Sequence, residues 1–295
     1  MADAGDEEEW RRAGQVAARA RELGVAHARP GVLRRELADE IERFIRDEGA
    51  EPAFPSNLSR NVEAAHYTPS PEDEQRLEVG DLLKVDVGAQ VRGAIADTAA
   101  TVEVGGGHRH ENFRRAVRDA VEAGIAEVRP GVRVEAIGQA IQTAIHARGL
   151  KPIVDLSGHS IERYLLHAGK SIPNSVGMSS ATLEEGEYIA IEPFATNGIG
   201  HIANGAFGNI VRFRGPPKGG PAELAPMYDR FRTLPFTARW VAPAMRRSLA
   251  AARRFVQVYP VFVEAGGGLV AQAEHTLRVT EGGAEVLTRA PPLDG

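Results

Sequence analysis

The sequence predicts a mixed α/β (α+β) fold of two like halves, with a curved antiparallel sheet inside and helices outside. An internal repeat and the alternation of amphipathic stretches with apolar strand-like runs predict it. Acidic residues set inside those runs indicate where the chemistry lies. Arg29-Pro30-Gly31-Val32 recurs as Arg129-Pro130-Gly131-Val132, an offset of one hundred residues. At the same offset Ile41 matches Ile141, Ile45 matches Ile145, Gly49 matches Gly149 and Pro52 matches Pro152. Each copy opens on Pro-Gly, continues as an amphipathic helix and stops at a glycine, the usual punctuation of helices. With small insertions, His66 aligns with His167 and Leu77-Glu78-Val79-Gly80-Asp81 with Leu183-Glu184-Glu185-Gly186-Glu187. Lys84-Val85-Asp86 then aligns with Ala190-Ile191-Glu192. Two such units pack most naturally about a pseudo-two-fold axis, with their strands in one curved sheet and Asp86 meeting Glu192 near the axis.

In chain order, periodicity places helices near 7–23, 32–48, 110–127 and 133–148. Alternating or continuous apolar runs place strands near 53–58, 63–67, 82–90, 94–104, 152–157, 164–168, 187–195, 209–213 and 268–279. Gly215-Pro216-Pro217-Lys218-Gly219-Gly220-Pro221 is a loop, and the helix-prone residues after it form an insertion between two strands of the main sheet. The expected organisation is a main domain over 1–213 and 263–295 and a helical insertion over 214–262.

The chain has 295 residues, 43% hydrophobic and 25% charged, as expected of an ordinary globular protein. A net charge of -5 argues against a general nucleic-acid binder. There are no cysteines, so any metal must be held by oxygen and imidazole. No run reaches the roughly 18 apolar residues of a membrane span. The acidic N-terminus lacks the basic start and apolar stretch of a signal peptide, so a cytoplasmic location is expected.

Asp86 lies in Leu82-Leu83-Lys84-Val85-Asp86-Val87-Gly88, and Asp97 in Ala94-Ile95-Ala96-Asp97-Thr98-Ala99-Ala100-Thr101-Val102. A hairpin centred between Val91 and Arg92 would set the two acids directly opposite each other, with Cβ atoms about 5 Å apart. Carboxylates that close in an apolar site repel unless a cation lies between them. Glu192 in Tyr188–Phe194 and Glu274 in Leu269–Thr276 share the oddity, and His159 lies in Leu156-Ser157-Gly158-His159-Ser160-Ile161. Four carboxylates and one imidazole can hold two divalent ions if two carboxylates bridge. His66 and His167, at equivalent positions of the repeat, are expected to face the same centre. His27, His108, His110 and His146 read as surface residues.

Seven motifs then stand in one family's order: Ala64-Ala65-His66-Tyr67-Thr68-Pro69, Lys84–Gly88, Ile95–Ala99, Leu156–Tyr164, Leu166-His167-Ala168-Gly169, Ala190–Thr196 and Ala271-Gln272-Ala273-Glu274-His275-Thr276. Together they closely resemble type 2 methionine aminopeptidases in their compact archaeal form, from about residue 8 to 290. The resemblance implies the "pita-bread" fold and makes the insertion the type 2 helical insert, with Thr233-Leu234-Pro235-Phe236 as its counterpart. It implies a metal-dependent aminopeptidase, a monomer in the cytoplasm, acting on nascent chains whose initiator methionine precedes a small residue. The partners are then nascent N-termini, with the ribosome as a further contact.

By the same resemblance the ligands are Asp86, Asp97, His159, Glu192 and Glu274. Asp97 and Glu274 would bridge two ions (Co, Mn, Fe or Zn), Asp86 would hold one, and His159 and Glu192 the other. A metal-activated hydroxide would attack the first peptide carbonyl, Glu192 would relay protons, and His66 and His167 would stabilise the intermediate and the scissile amide. Phe54, Pro55, Leu166, His167 and Tyr259 would shape the methionine pocket. Three departures bear on pocket shape rather than on the reaction. Ala273 stands where many relatives have phenylalanine, Arg60 replaces an apolar residue, and His201–Phe207 is unusually rich in glycine and alanine. Two other readings exist: a proline- or dipeptide-specific hydrolase on the same fold, and a non-catalytic relative that binds RNA or ribosomes. The Ala64–Pro69 motif argues against the first, and retention of all five ligands against the second.

Overall fold

Helix α1 (Ala4–His27), helix α2 (Arg34–Asp47) and strands β1 (Glu51–Arg60), β2 (Glu63–Ala65), β3 (Leu82–Val91) and β4 (Ala94–Glu103) form the first half. This computed structural model describes residues 4–290 except Met178 and Phe207. The expected domain ends at 1–3 and 291–295, and Phe207 of the glycine-rich segment, lie outside the described residues. The second half contains α3 (Glu111–Ala126), α4 (Val134–Ala147), β5 (Lys151–Pro152), β6 (Ser157–Ile161), β7 (Ser171–Pro173), β8 (Tyr188–Ile191) and β9 (Phe194–Thr196). After β10 (Ile202–Asn204) and β11 (Ile210–Phe213) comes the insertion, with α5 (Leu224–Phe231), β12 (Phe236–Thr237), a 3-10 turn Ala238–Trp240, α6 (Pro243–Ala251) and β13 (Val256–Tyr259). The chain then returns through β14 (Phe262–Glu264), β15 (Val270–Gln272), β16 (His275–Thr280) and β17 (Gly283–Val286).

The repeat is visible in the hydrogen bonds. The Gly31 N–H donates to the Leu77 carbonyl (2.7 Å), and the Gly131 N–H to the Leu183 carbonyl (2.8 Å). Both glycines have φ near +80° (+85° and +79°), which a side chain would oppose. It also extends back into the first helix of each half. A Cβ on Gly24 would come within 2.7 Å of Ile41 and Val85, and one on Gly124 within 3.2 Å of Ile141 and Ile191. Small residues at these two positions let helix, helix and strand close onto one another in both halves. Each half thereby buries its own apolar layer: Leu37, Ile41 and Ile45 against Val85 and Val87, and Ile137, Ile141 and Ile145 against Ile189 and Ile191. Each such side chain contributes about 1.5–3 kcal/mol on burial.

Hydrogen bonding divides the strands into several antiparallel sheets rather than the one continuous sheet expected. The largest are β1-β3-β4 in the first half and β17-β16-β8-β6-β7 in the second, joined across the centre by a bridge between Ala99 and Glu274. The expected strand 268–279 breaks between Gln272 and His275, and 187–195 breaks at Glu192-Pro193. Proline lacks the N–H a continuous ladder needs. Residues 164–168 form no strand: Tyr164 takes φ +61° in a turn and donates its N–H to the Gly93 carbonyl, and Leu165 only bridges back to Glu162. The expected 152–157 strand is instead β5 followed by β6. The insertion is not purely helical. It folds β12 and β13 onto β11 and has its own core, in which the Phe231 and Phe236 rings stack 4.3 Å apart. Among the described residues, no helix is long and apolar enough to cross a membrane. His110, expected at the surface, is buried against Phe113, and its N–H donates to Glu103 at the start of α3.

Candidate metal centre

Asp86 and Asp97 share one face of the β3–β4 hairpin, but not as a directly opposed pair. Asp97 faces Gly88 and Asp86 faces Ala99, so the two acids are diagonal neighbours. The turn is Arg92-Gly93, both at positive φ (+48° and +92°), a two-residue hairpin that shifts the register from the expected centre. Asp97 is fixed by its backbone: its N–H donates to Thr276 Oγ1, whose hydroxyl donates back to the Asp97 carbonyl, both at 2.8 Å. Beside it the Thr98 hydroxyl donates to the Glu274 carbonyl at 2.8 Å, and the Glu274 N–H to the Ala99 carbonyl at 2.9 Å. The two halves are therefore stitched together at the candidate ligands themselves.

Glu192 and Glu274 occupy the two strand breaks, where the chain is free to turn a carboxylate towards β4. Asn174 Nδ2 donates to the Glu192 carbonyl at 3.0 Å and steadies the first break. His159 sits on β6 where Gly158 lets the strand press on β8; a Cβ there would lie 2.1 Å from the Ala190 carbonyl oxygen. His159 Nδ1 faces the Ser160 carbonyl at 3.3 Å. A carbonyl only accepts, so the proton belongs on Nδ1 and the Nε2 lone pair points into the cluster. Nε2 is 3.7 Å from Asp97 Oδ2 and 3.8 Å from Glu192 Oε1. Atoms of Asp97, His159 and Glu274 lie within 4.8 Å of one another.

The electrostatics of this cluster are those of a cation site. Burial pushes the Asp86 carboxyl up to about 7, against the pull of the Asn57 amide, which donates to it at 3.3 Å. Burial and the charge of Asp86 hold Asp97 well above the carboxylate range. Burial, then the neighbouring Asp97 charge, does the same to Glu192 and Glu274. Burial, reinforced by His167, holds His159 well below the imidazole range, so its lone pair is free. Oδ1 of Asp86, Oδ1 of Asp97 and Oε1 of Glu274 are buried without a hydrogen-bond partner. Unpartnered carboxylate oxygens around a neutral imidazole match the needs of hard divalent ions, so the residues fit such a group.

One cavity of about 220 Å³ opens onto this cluster. All five candidate ligands line it, with His66, His167, Phe54, Leu166 and Tyr259. Pro55 does not: it is buried at an irregular stretch of β1, next to Phe54, and neighbouring strand residues face opposite ways. Gly88 makes room for Phe54, since a Cβ on it would meet the ring at 2.3 Å. His66 has φ +65° and packs on Phe262 and Tyr259, at ring distances of 4.7 and 5.3 Å. The His167 ring lies 4.4 Å from that of His159. Burial lowers both histidines to about 4, aided at His66 by His167 and at His167 by Arg212.

Sequence reasoning missed Asn57, Ala65, Asp155, Leu156, Ser157, Phe194, Ile210 and Pro235 in this lining. Asn57 and Asp155 carried a signal, as polar residues within largely apolar runs. Arg60 and Ala273, expected to alter pocket shape, do not line the cavity. Arg60 pairs with Asp81 outside it, and Ala273 faces a separate cavity of about 300 Å³ with Arg21 and His275.

The model of metallopeptidase family M24 matches residues 8–281. A methionine aminopeptidase of Archaeoglobus fulgidus is 43% identical over 266 residues, 88% of this chain and 90% of that protein. One of Pyrococcus horikoshii is 43% identical over 288 residues, 94% of this chain and 97% of that protein. Among solved structures, the methionine aminopeptidase of Rickettsia prowazekii superposes with a TM-score of 0.73 at 24% identity, covering 98% of this chain and 99% of that one.

Proposed function

The chain belongs to metallopeptidase family M24, with the pita-bread fold, and to its methionine aminopeptidases; from that premise we propose how its residues divide the work. The reaction is metal-dependent hydrolysis that removes an N-terminal methionine. In our reading Asp86, Asp97, His159, Glu192 and Glu274 would hold two divalent ions. The unpartnered oxygens of Asp86, Asp97 and Glu274 carry this reading. When bound, the ions would acidify a water molecule and polarise the carbonyl of the scissile bond.

The chain's own groups supply the rest. Glu192, on the cavity wall with a side chain 15% exposed, accepts the proton released from the attacking water and delivers it to the departing amine. His66 and His167 are neutral at pH 7, so each offers one N–H donor without adding charge. One stabilises the developing oxyanion and the other the scissile amide. Phe54, Leu166 and Tyr259 enclose a methionine side chain. A cavity of about 220 Å³ exceeds the size that accepts a benzene ring, which suits one flexible thioether chain. We propose cleavage before a small second residue. Residues 1–213 and 263–295 then form the catalytic domain and 214–262 an insertion subdomain. We further propose a cytoplasmic monomer acting on nascent chains at the ribosome, with Co, Mn, Fe or Zn as the metal.

The test is methionine release from Met-Ala-Ser by purified protein with Mn²⁺, Fe²⁺ or Co²⁺, against Pro- and X-Pro peptides. Release only from the X-Pro peptides would replace this reading with a prolidase-like one. No release from any peptide would favour a non-catalytic role.

A further inference from the structure

Arg239 belongs to the insertion and lies outside the cavity, yet its side chain is 4% exposed and that of its partner Glu42, on α2, is 1% exposed. Arg239 Nη2 and Nη1 donate to the two Glu42 oxygens at 2.6 and 2.8 Å. Trp240 Nε1 and the Ser56 N–H add donors to the same carboxylate at 2.6 and 3.0 Å. Burying an ion pair gains little stability over apolar packing, so such a fork is better explained by what it orients. Arg239 also donates from Nε to the Pro69 carbonyl (3.1 Å), from Nη2 to Thr68 Oγ1 (3.2 Å) and from Nη1 to Asp39 (2.5 Å).

One guanidinium thus ties together three segments that wall the cavity. Through Glu42 it holds Ser56, in the irregular stretch of β1 that presents Phe54 and Asn57. Through Thr68 and Pro69 it holds the chain just after His66. It sits four residues beyond Pro235, the wall supplied by the insertion. His66 keeps a left-handed backbone that a non-glycine residue holds only when its surroundings impose it. On one side β2 pairs Ala65 with Phe262; on the other, Arg239 and the Asn209 amide grip Thr68.

We propose that Arg239 is a positioning residue, through which the insertion sets the place of the His66 imidazole over the scissile bond. The inference rests on the role given to His66 above. The experiment compares wild type, Arg239→Lys, His66→Ala and the double variant, with Met-Ala-Ser and Mn²⁺. Lysine keeps a charge beside Glu42 but lacks the fork that reaches Thr68 and Pro69. The expected result is that Arg239→Lys lowers kcat about tenfold with KM within about twofold, as for a slight misplacement of a reacting group. In the His66→Ala background it should lower kcat by less than about twofold, because its effect runs through a group already removed. An equal loss in both backgrounds, or full kcat in Arg239→Lys, would overturn the proposal. Should Arg239→Lys fail to fold, Thr68→Val carries the same cycle with the same criteria. An independent readout is the His66 ring resonance in ¹³C-histidine-labelled protein without added metal, assigned by its loss in His66→Ala. It should move in Arg239→Lys, and an unmoved resonance also overturns the clamp. If His66→Ala itself retains full kcat, the role given to His66 fails, and the resonance still decides whether Arg239 positions the ring.

Discussion

Asp86→Asn should make the metal-free protein more stable while destroying its ability to take up metal. The native Asp86 carboxyl titrates at about 7 against an ordinary value of 3.8, because burial opposes its ionisation. At about 1.36 kcal/mol per pH unit, that gap costs the native state about 4 kcal/mol once the group is ionised. The sign follows from the raised native value: the cost is complete above pH 7 and fades as pH falls towards 3.8. At pH 5.5 the native state holds a proton that the unfolded chain lacks, and about 2 kcal/mol remains. An unfolding entropy of about 2.1 cal/mol/K per residue over 295 residues turns 4 kcal/mol into a Tm difference of about 6 °C. The assay is thermal unfolding by circular dichroism in EDTA, wild type against variant, at pH 8 and pH 5.5. The variant should melt about 6 °C higher at pH 8 and about 3 °C higher at pH 5.5. Adding Mn²⁺ should raise wild-type Tm and leave the variant unmoved. A variant that melts at or below wild type in EDTA at pH 8 would refute the argument that the acids are held apart from their preferred state.

Asp97→Ala should abolish methionine release while leaving far-ultraviolet dichroism unchanged; near-normal turnover would refute a bridging role. Gly88→Ala should raise KM for Met-Ala-Ser by about tenfold or more, because the new methyl group meets the Phe54 ring at 2.3 Å and drives it out of place. An unchanged KM would mean that Phe54 does not wall the methionine pocket. Glu264 is opposed by burial, but backbone N–H groups of Gly268, Gly200, Gly266 and Ile199 outweigh it and hold the carboxyl below its ordinary range. Its contribution is therefore present above the ordinary carboxylate pKa and lost as pH falls through the lowered native value. Glu264→Gln, which strands two of those donors, should cost about 2–4 kcal/mol by urea titration at pH 7 and progressively less on acidification. A loss that does not change with pH would remove the charge from the explanation.

The first-order layout was legible because the repeat is written in residues that physics leaves little freedom to change. Gly31 and Gly131 need positive φ, and Ile41 and Ile141 face the same layer in each half. The acids were legible because Asp86 and Asp97 contradict their apolar neighbours, and Glu192 and Glu274 because they interrupt strands. The hairpin register was not, since Arg92 at positive φ carries no signal by residue type. Nor was the irregular stretch of β1 that turns Asn57 inward, because such irregularities depend on the partner strand. The sheet within the insertion was hidden for a similar reason: β12 and β13 are short and gain their pairing only from β11. Arg239 carries no signal in the sequence, and only the fold shows it sealed between the insertion and α2.

The stitching of the two halves at Thr98, Glu274 and Thr276 has a consequence for how the protein matures. The first half alone offers two mutually repelling carboxylates, and the second offers His159 and Glu192 without the strand that faces them. A chain with only one half closed is therefore a poor chelator, whatever its own stability. With the proposed ligand set, metal capture would be a late event, possible only after β16 has docked on β4. A bound ion would then act as a fastener, favouring the finished assembly over partly folded precursors.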